Sequence, residues 1–310
     1  MTTPTSDTML AALDLRPVPP ADGGHEAFEA VTGPCPWPKA YGGDMAAQAA
    51  MAAMRSVDAD RTLHSMHSYF MRPVDIGAPV RYEVERVRDG RGFSTRQVRG
   101  IQNGKAAYLC IASFQVPRDG AEIQAAAPDD VPAPEDLPTS AEVLDGVVPG
   151  TDQAGSATAE ALEYWATGRS FDMRHVPGPV YLPDGGDRIT GVAHPGGARH
   201  QAVWVRAFGA LPDDDLLHRA ALAYVCDYTI IEPVLRSLGL AWADPGLVTA
   251  SLDHAMWFHR PVRADDWLLY AQEAVSLQSA RGLSIGRFFD RSGRLVATVA
   301  QEALVQPPGA

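Results

Sequence analysis

Two stretches of the chain carry the same alternation of apolar and polar positions. Residues 79–115 and residues 266–305 each contain an alternating strand with a central tyrosine (Tyr82, Tyr270) and then an Arg-Gly step (Arg91-Gly92, Arg281-Gly282). A second alternating strand, a glycine turn (Asn103-Gly104-Lys105, Ser292-Gly293-Arg294) and a third, more apolar strand follow in each. Period-two alternation predicts half-buried strands, and the glycine turns predict tight hairpins, because glycine accepts the positive φ they need. Just ahead of each block stands a similar twelve-residue segment: LHSMHSYFMRPV at 63–74 and SLDHAMWFHRPV at 251–262.

Helical periodicity appears upstream of both segments. Residues 42–57 (GGDMAAQAAMAAMRSV) are alanine-rich, and residues 214–240 place Leu217, Ala220, Ala221, Tyr224, Tyr228, Ile231 and Leu235 at the 3.6 period. Asp213 to Asp215 supply a helix start and Gly239 a stop. A further strand is expected before each helix, near 25–32 and near 199–207. Each half therefore predicts strand, helix and then consecutive antiparallel strands, an α+β arrangement that occurs twice. Two domains are expected, 1–115 and 166–310. Between them residues 116–165, rich in Ala, Pro, Asp and Glu, read as a linker. Residues 176–197 read as a long loop with room for one edge strand.

Composition narrows the function. The formal net charge of −12 at pH 7 argues against nucleic acid as the main partner. Apolar runs are too short to span a bilayer, and the N-terminal segment lacks the basic and apolar regions of a signal peptide, so no membrane insertion is expected. Three cysteines without metal spacing (Cys35, Cys110, Cys226) suit a reduced cytoplasm. The histidine pairs His64/His67 and His254/His259 point to opposite faces of their strands, so no metal is expected. A G-x-S-x-G string occurs at Gly282-Leu283-Ser284-Ile285-Gly286, but inside the second alternating strand rather than at the strand-to-helix turn of a nucleophile elbow, and Gly-rich phosphate loops are absent from the sequence.

The stretches YGGDMAAQAA, HSYFMRP, YEVERVRDGRGFSTRQVRGIQNGK, ASFQ, LAYVCDYT, SLDHAMWFHRP, DWLLY and VAQEALV resemble the TesB-type acyl-CoA thioesterase family (acyl-CoA thioesterase II) in this order. The resemblance spans about residues 10–115 and 198–305. It implies a tandem (double) hotdog: two curved antiparallel sheets, each wrapped on a long helix. It further implies an acyl-CoA substrate, no cofactor, and a site of Asp227, Ser251 and Gln301 that orients water on the thioester carbonyl. Serine stands here where other members carry threonine; the hydroxyl is kept and the methyl that stiffens χ1 is lost.

The residues make that chemistry reasonable. Asp227 has Ala223, Tyr224, Ile230 and Ile231 as its helical neighbours, and a carboxylate on an apolar face needs hydrogen-bonding partners. A hydroxyl and an amide from facing strands would supply them. Gly42, Gly43, Arg72, Arg260 and His254 are candidate substrate contacts. The glycine turn offers backbone amides to an oxyanion or to CoA, and the arginines a fork for phosphate. The duplicated arginines also suit a structural role. Alternatives at this point are a hotdog-type hydratase or dehydratase using Asp253 and His254, and a non-catalytic acyl-CoA-binding scaffold. Strict alternation puts Ser251 and Asp253 on one face and His254 on the other. Cys226 has no evident histidine partner and reads as buried packing. Exposed sheet edges favour a homodimer or homotetramer.

Overall fold

The computed structural model of the chain describes residues 3–21, 26–183, 197 and 199–309. The first half supplies β1 (Arg16–Val18), β2 (Glu26–Val31), β3 (Thr62–Phe70), β4 (Pro79–Asp89), β5 (Phe93–Gln102) and β6 (Lys105–Gln115). The second supplies β7 (Phe171–Val176), β8 (His200–Ala207), β9 (Val248–Ser251), β10 (Asp253–Phe258), β11 (Leu268–Gln278), β12 (Arg281–Asp290) and β13 (Leu295–Gln306). They pair antiparallel in the order β1-β2-β4-β5-β6-β3-β10-β13-β12-β11-β8-β7, and β9 extends alongside β13. The order β2-β4-β5-β6-β3 is thus repeated in reverse as β10-β13-β12-β11-β8. The two copies of the twelve-residue segment meet at the seam, where β3 pairs with β10 from Asp253↔Tyr69 to Trp257↔Ser65. The Asn103-Gly104 turn takes positive φ at both residues, 51° and 71°, as its hairpin requires.

The helix of the first half runs Gly42–Met54, and every residue from Gly43 to Met54 is buried. Its alanines let it lie closely against the second-half helix as well as the strands β3 to β6. One core therefore spans both halves, from Phe28, Tyr82 and Tyr108 to Tyr270, Phe288 and Val299.

The second-half helix departs from expectation. Residues 214–240 are not one helix: Asp215–Val225 is α-helical, Cys226–Tyr228 forms a 3-10 turn, and Glu232–Ser237 is helical again. Pro233 accounts for the break, because its ring excludes the carbonyl of Thr229 four residues earlier and it has no N–H to donate. The ends follow expectation: Asp214 accepts the Leu216 amide at 3.0 Å, and Gly239 takes φ +66° just past the last turn.

Within 116–165, three helical turns appear at Pro134–Asp136, Ser140–Val143 and Ala159–Glu163. Leu137, Leu144, Leu162 and Trp165 are buried against second-half side chains that include Trp204 and Tyr181. The edge strand β7 pairs with β8 just before the expected loop. Residues 184–196 and 198 of that loop region lie outside the described residues. Among the described residues no helix is long and apolar enough to cross a membrane.

Candidate active site

Two local irregularities build the site. The first is the 3-10 turn, which carries Asp227 at the point where the helix breaks. The second is a bulge at Leu252. β10 pairs Ala255 with Ala300, whereas β9 pairs Ser251 with Ala303, so the register slips by one residue between them. The slip overturns the expected alternation. Ser251 and His254 both reach Gln301, and Asp253 turns away to accept the Glu302 amide at 2.8 Å. Asp253 and His254 therefore do not form the hydrogen-bonded pair that a hydratase reading needs.

The three side chains implied by the resemblance converge. Gln301 Nε2 donates to Asp227 Oδ1 at 2.6 Å and lies 3.1 Å from Ser251 Oγ. Ser251 Oγ donates to the same carboxylate oxygen at 3.2 Å. With the Gln301 nitrogen committed to Asp227, its Oε1 faces His254 Nδ1 at 2.7 Å and must accept from it. The proton is thereby placed on Nδ1, and the unprotonated Nε2 faces the Cys226 sulfur at 3.4 Å, whose thiol donates to the Ala223 carbonyl at 3.2 Å. Cys226 thus has a histidine neighbour, contrary to the sequence reading. Burial nevertheless pushes its thiol pKa well up, so it stays protonated. Burial also lowers the pKa of His254, which keeps the ring neutral.

Burial raises the Asp227 pKa to about 6, against the lowering effect of bonds from Gln301, Ser251 and the Gly43 amide. A carboxylate so placed is ionised at neutral pH and more basic than a free one. A second carboxyl lies nearby that the sequence reading missed. Asp44, in the first turn of the Gly42–Met54 helix, is 1% exposed, and burial together with the negative charge of Asp227 raises its pKa to about 7. Its Oδ2 accepts the Gly33 amide at 3.1 Å, and its Oδ1 has no partner. A carboxyl directly after a glycine pair was visible in the sequence, but nothing there indicated its depth.

The first-half helix start closes the site from the opposite side. A Cβ built on Gly42 would fall 2.6 Å from Asp227 Oδ2, so only glycine fits without moving that carboxylate. On Gly43 a Cβ would meet the Tyr224 carbonyl and the Tyr41 ring, each at 2.3 Å. Tyr41 donates to that same carbonyl at 2.6 Å and stacks on Tyr228, with ring centroids 4.4 Å apart.

The arginines go elsewhere. Arg72 donates to the Ala106 carbonyl and Arg260 to the Leu295 carbonyl, so each ties its segment to the start of the last strand in its half. Arg260 also pairs with Glu122 at 2.8 Å. His64 lies 2.9 Å from Ser113, His67 packs edge-on to Trp257, and His259 lies 2.9 Å from Thr298. Among the described residues no cluster of His, Cys, Asp or Glu has the arrangement of a metal site.

Residues 186–304 match the family described as Acyl-CoA thioesterase, and residues 33–115 match the Acyl-CoA thioesterase N-terminal domain. The chain belongs to the acyl-CoA thioesterase family. It is 35% identical to Acyl-CoA thioesterase 2 of Haemophilus influenzae, over 86% of this chain and 87% of that one. It is 33% identical to human Acyl-coenzyme A thioesterase 8, over 87% of this chain and 82% of that one. The solved acyl-CoA thioesterase II of Mycobacterium marinum superposes with a TM-score of 0.73 at 34% identity, covering 96% of this chain and 98% of that one. A hotdog-fold protein of Alicyclobacillus acidocaldarius superposes with a TM-score of 0.71 at 21% identity, covering 96% and 97%. The mirrored strand order is accordingly that of a double hotdog, and this chain is an enzyme of the thioester-hydrolase class.

Proposed function

We propose that the protein hydrolyses a fatty acyl-CoA thioester to the free acid and CoA, with Asp227, Ser251 and Gln301 directing the water. One observation carries the reading: the Gln301 amide bonds Asp227 Oδ1 at 2.6 Å while lying 3.1 Å from Ser251 Oγ. Three groups so fixed define where a water sits and which way its lone pair points. Orientation of this kind and general-base help each contribute orders of magnitude to rate.

Asp227 takes one proton from the water as its oxygen attacks the thioester carbonyl. The tetrahedral intermediate then expels the CoA thiolate, the C–S bond breaks, and the thiolate recovers the proton from Asp227. No covalent acyl-enzyme forms and no cofactor takes part. The Gly42-Gly43 turn, where a Cβ on Gly42 would fall 2.6 Å from Asp227 Oδ2, serves in this reading as a thioester contact. The Gly43 amide already bonds Asp227, which gives that turn the further role of holding the base in place.

The test is free-thiol release from a series of acyl-CoAs. Wild-type protein should release CoA, and Asp227→Asn and Gln301→Ala should lose most of that rate. Unchanged release in both variants rejects the assigned site. No release at any chain length favours the acyl-CoA-binding scaffold instead.

A further inference from the structure

Among the described residues, the second half contains a buried cation with no anion against it. Arg169 is 6% exposed. Its Nη1 donates to the Tyr181 hydroxyl at 2.9 Å and to the Met173 sulfur at 3.7 Å, and its Nε is buried with no acceptor. No carboxylate of the described residues forms an ion pair with it. Glu232 is the acid whose field reaches it, and that carboxylate is already held by Gln201 Nε2 at 2.8 Å and Trp242 Nε1 at 2.9 Å. The rings of Tyr228, Tyr181 and Tyr164 lie 4.7, 5.2 and 5.9 Å from the guanidinium carbon. Such rings offset part of the cost of burying a cation, but they do not accept the in-plane N–H bonds.

Arg169 is one of the residues lining a cavity of about 90 Å³. Trp165, Phe171 and Met173 give it apolar walls, and Thr139 and Ser140 give it hydroxyls. Ser140 Oγ lies 3.2 Å from the Tyr181 hydroxyl that Arg169 bonds, so hydroxyl and guanidinium belong to one network. Asp172 also lines the cavity, and its charge is taken up by Arg174 at 2.6 Å and Arg206 at 3.8 Å. Tyr228, the residue after Asp227 on the same 3-10 turn, lays its ring against the Arg169 guanidinium.

We propose that this cavity is a carboxylate-binding subsite read by Arg169. A carboxylate matches the planar guanidinium and would accept from Nη2, to which no group of the described residues is bonded. It has two possible sources: the far end of an acyl group that is itself a dicarboxylic acid, or a free acid such as the reaction product. The first source rests on the thioesterase reading; the second does not.

Titration with adipate and with hexanoate, followed by calorimetry, tests binding without relying on turnover. Saturable binding in the wild type, weakened about tenfold to a hundredfold in Arg169→Met and partly kept in Arg169→Lys, is the expected result. Equal binding in wild type and Arg169→Met, or none in the wild type, overturns the subsite. Rates with adipyl-CoA and hexanoyl-CoA then identify the source. A preference for adipyl-CoA that disappears in Arg169→Met, with hexanoyl-CoA turnover retained, assigns the acyl end. Free-acid binding with no adipyl-CoA preference assigns the free acid. If neither thioester is cleaved, the thioesterase reading fails while the binding result stands on its own.

Discussion

Gln301 and Asp227 stand 74 positions apart in the chain and meet at 2.6 Å, the amide nitrogen on the carboxylate oxygen. This contact joins the last strand to the break in the second-half helix, and it separates two functions of one carboxylate. Replacing Asp227 with Asn removes the base and should lower kcat by about 10²–10⁴-fold. Replacing Gln301 with Glu keeps the size but sets two carboxylates face to face, which should raise the Asp227 pKa further and move the acid limb of the rate profile upward. Steady-state kinetics across pH, with folding checked by circular dichroism, measures both.

The pH profile of the wild type should follow Asp227. Burial raises its pKa to about 6, and on the proposed mechanism it acts only when ionised, so kcat/KM should fall about tenfold per pH unit below that point. The limb should persist in Cys226→Ala. A flat profile between pH 5 and 8 would contradict Asp227 as the base.

Gly42→Ala should be a specific defect. The added methyl falls 2.6 Å from Asp227 Oδ2, the movable end of a side chain, and 3.1 Å from the Phe70 ring. We expect kcat to drop about tenfold to a hundredfold through misplacement of the carboxylate, with little change in Tm. Gly43→Ala should instead unfold or strongly destabilise the protein, because its methyl meets a backbone carbonyl at 2.3 Å. Thermal melts of the two variants distinguish them.

On the proposed mechanism His254 acts through Gln301, whose Oε1 lies 2.7 Å from its Nδ1. His254→Phe leaves Gln301 Oε1 without its donor, frees the amide to rotate, and should reduce kcat at unchanged KM. His254→Asn, which keeps a donor in a smaller side chain, should recover part of the rate. A direct acid or base role predicts no such rescue, and it predicts loss of a titrating limb, which a positioning role leaves intact.

Asp44 gives a stability test with a definite sign. Its folded pKa of about 7 lies above its ordinary value of 3.8, so the folded state binds more protons than the unfolded chain between those pH values. Wild-type stability therefore loses this contribution as pH rises from about 4 to about 7. Asn cannot ionise, and Asp44→Asn should gain on the wild type across that window, by on the order of 4 kcal/mol at pH 8. Urea unfolding at pH 4 and pH 8 measures the difference; a constant difference between the two pH values would reject the ionised, buried Asp44.

Much of this architecture was legible in the chain because alternation and duplication are carried by many residues at once. The strand blocks, the hairpin turns and the helix starts follow from periodicity and from Asn103-Gly104 or Asp214. What was not legible rests on single residues that break a pattern. Pro233 interrupts a helix whose apolar period continues through it. Leu252 adds one residue to a strand, and so His254 joins Ser251 where strict alternation separates them. The depth of Asp44 depends on packing between the halves, which no local signal records.

The seam at β3 and β10 also sets how many turnover centres one polypeptide holds. β3 pairs His67 with Ile111 and Met66 with Ala112, whereas β10 pairs Ala255 with Ala300. Matching the two halves through these pairs puts Met66 where His254 stands and Ala112 where Gln301 stands, and the twelve-residue segments put Leu63 opposite Ser251. All three first-half residues are buried and apolar. The mirrored corner is thus sealed with hydrocarbon, and a transition-state mimic should titrate to one equivalent per chain. Separating the halves would abolish even that one, because Gly42 and Gly43 come from the half that carries no chemistry of its own.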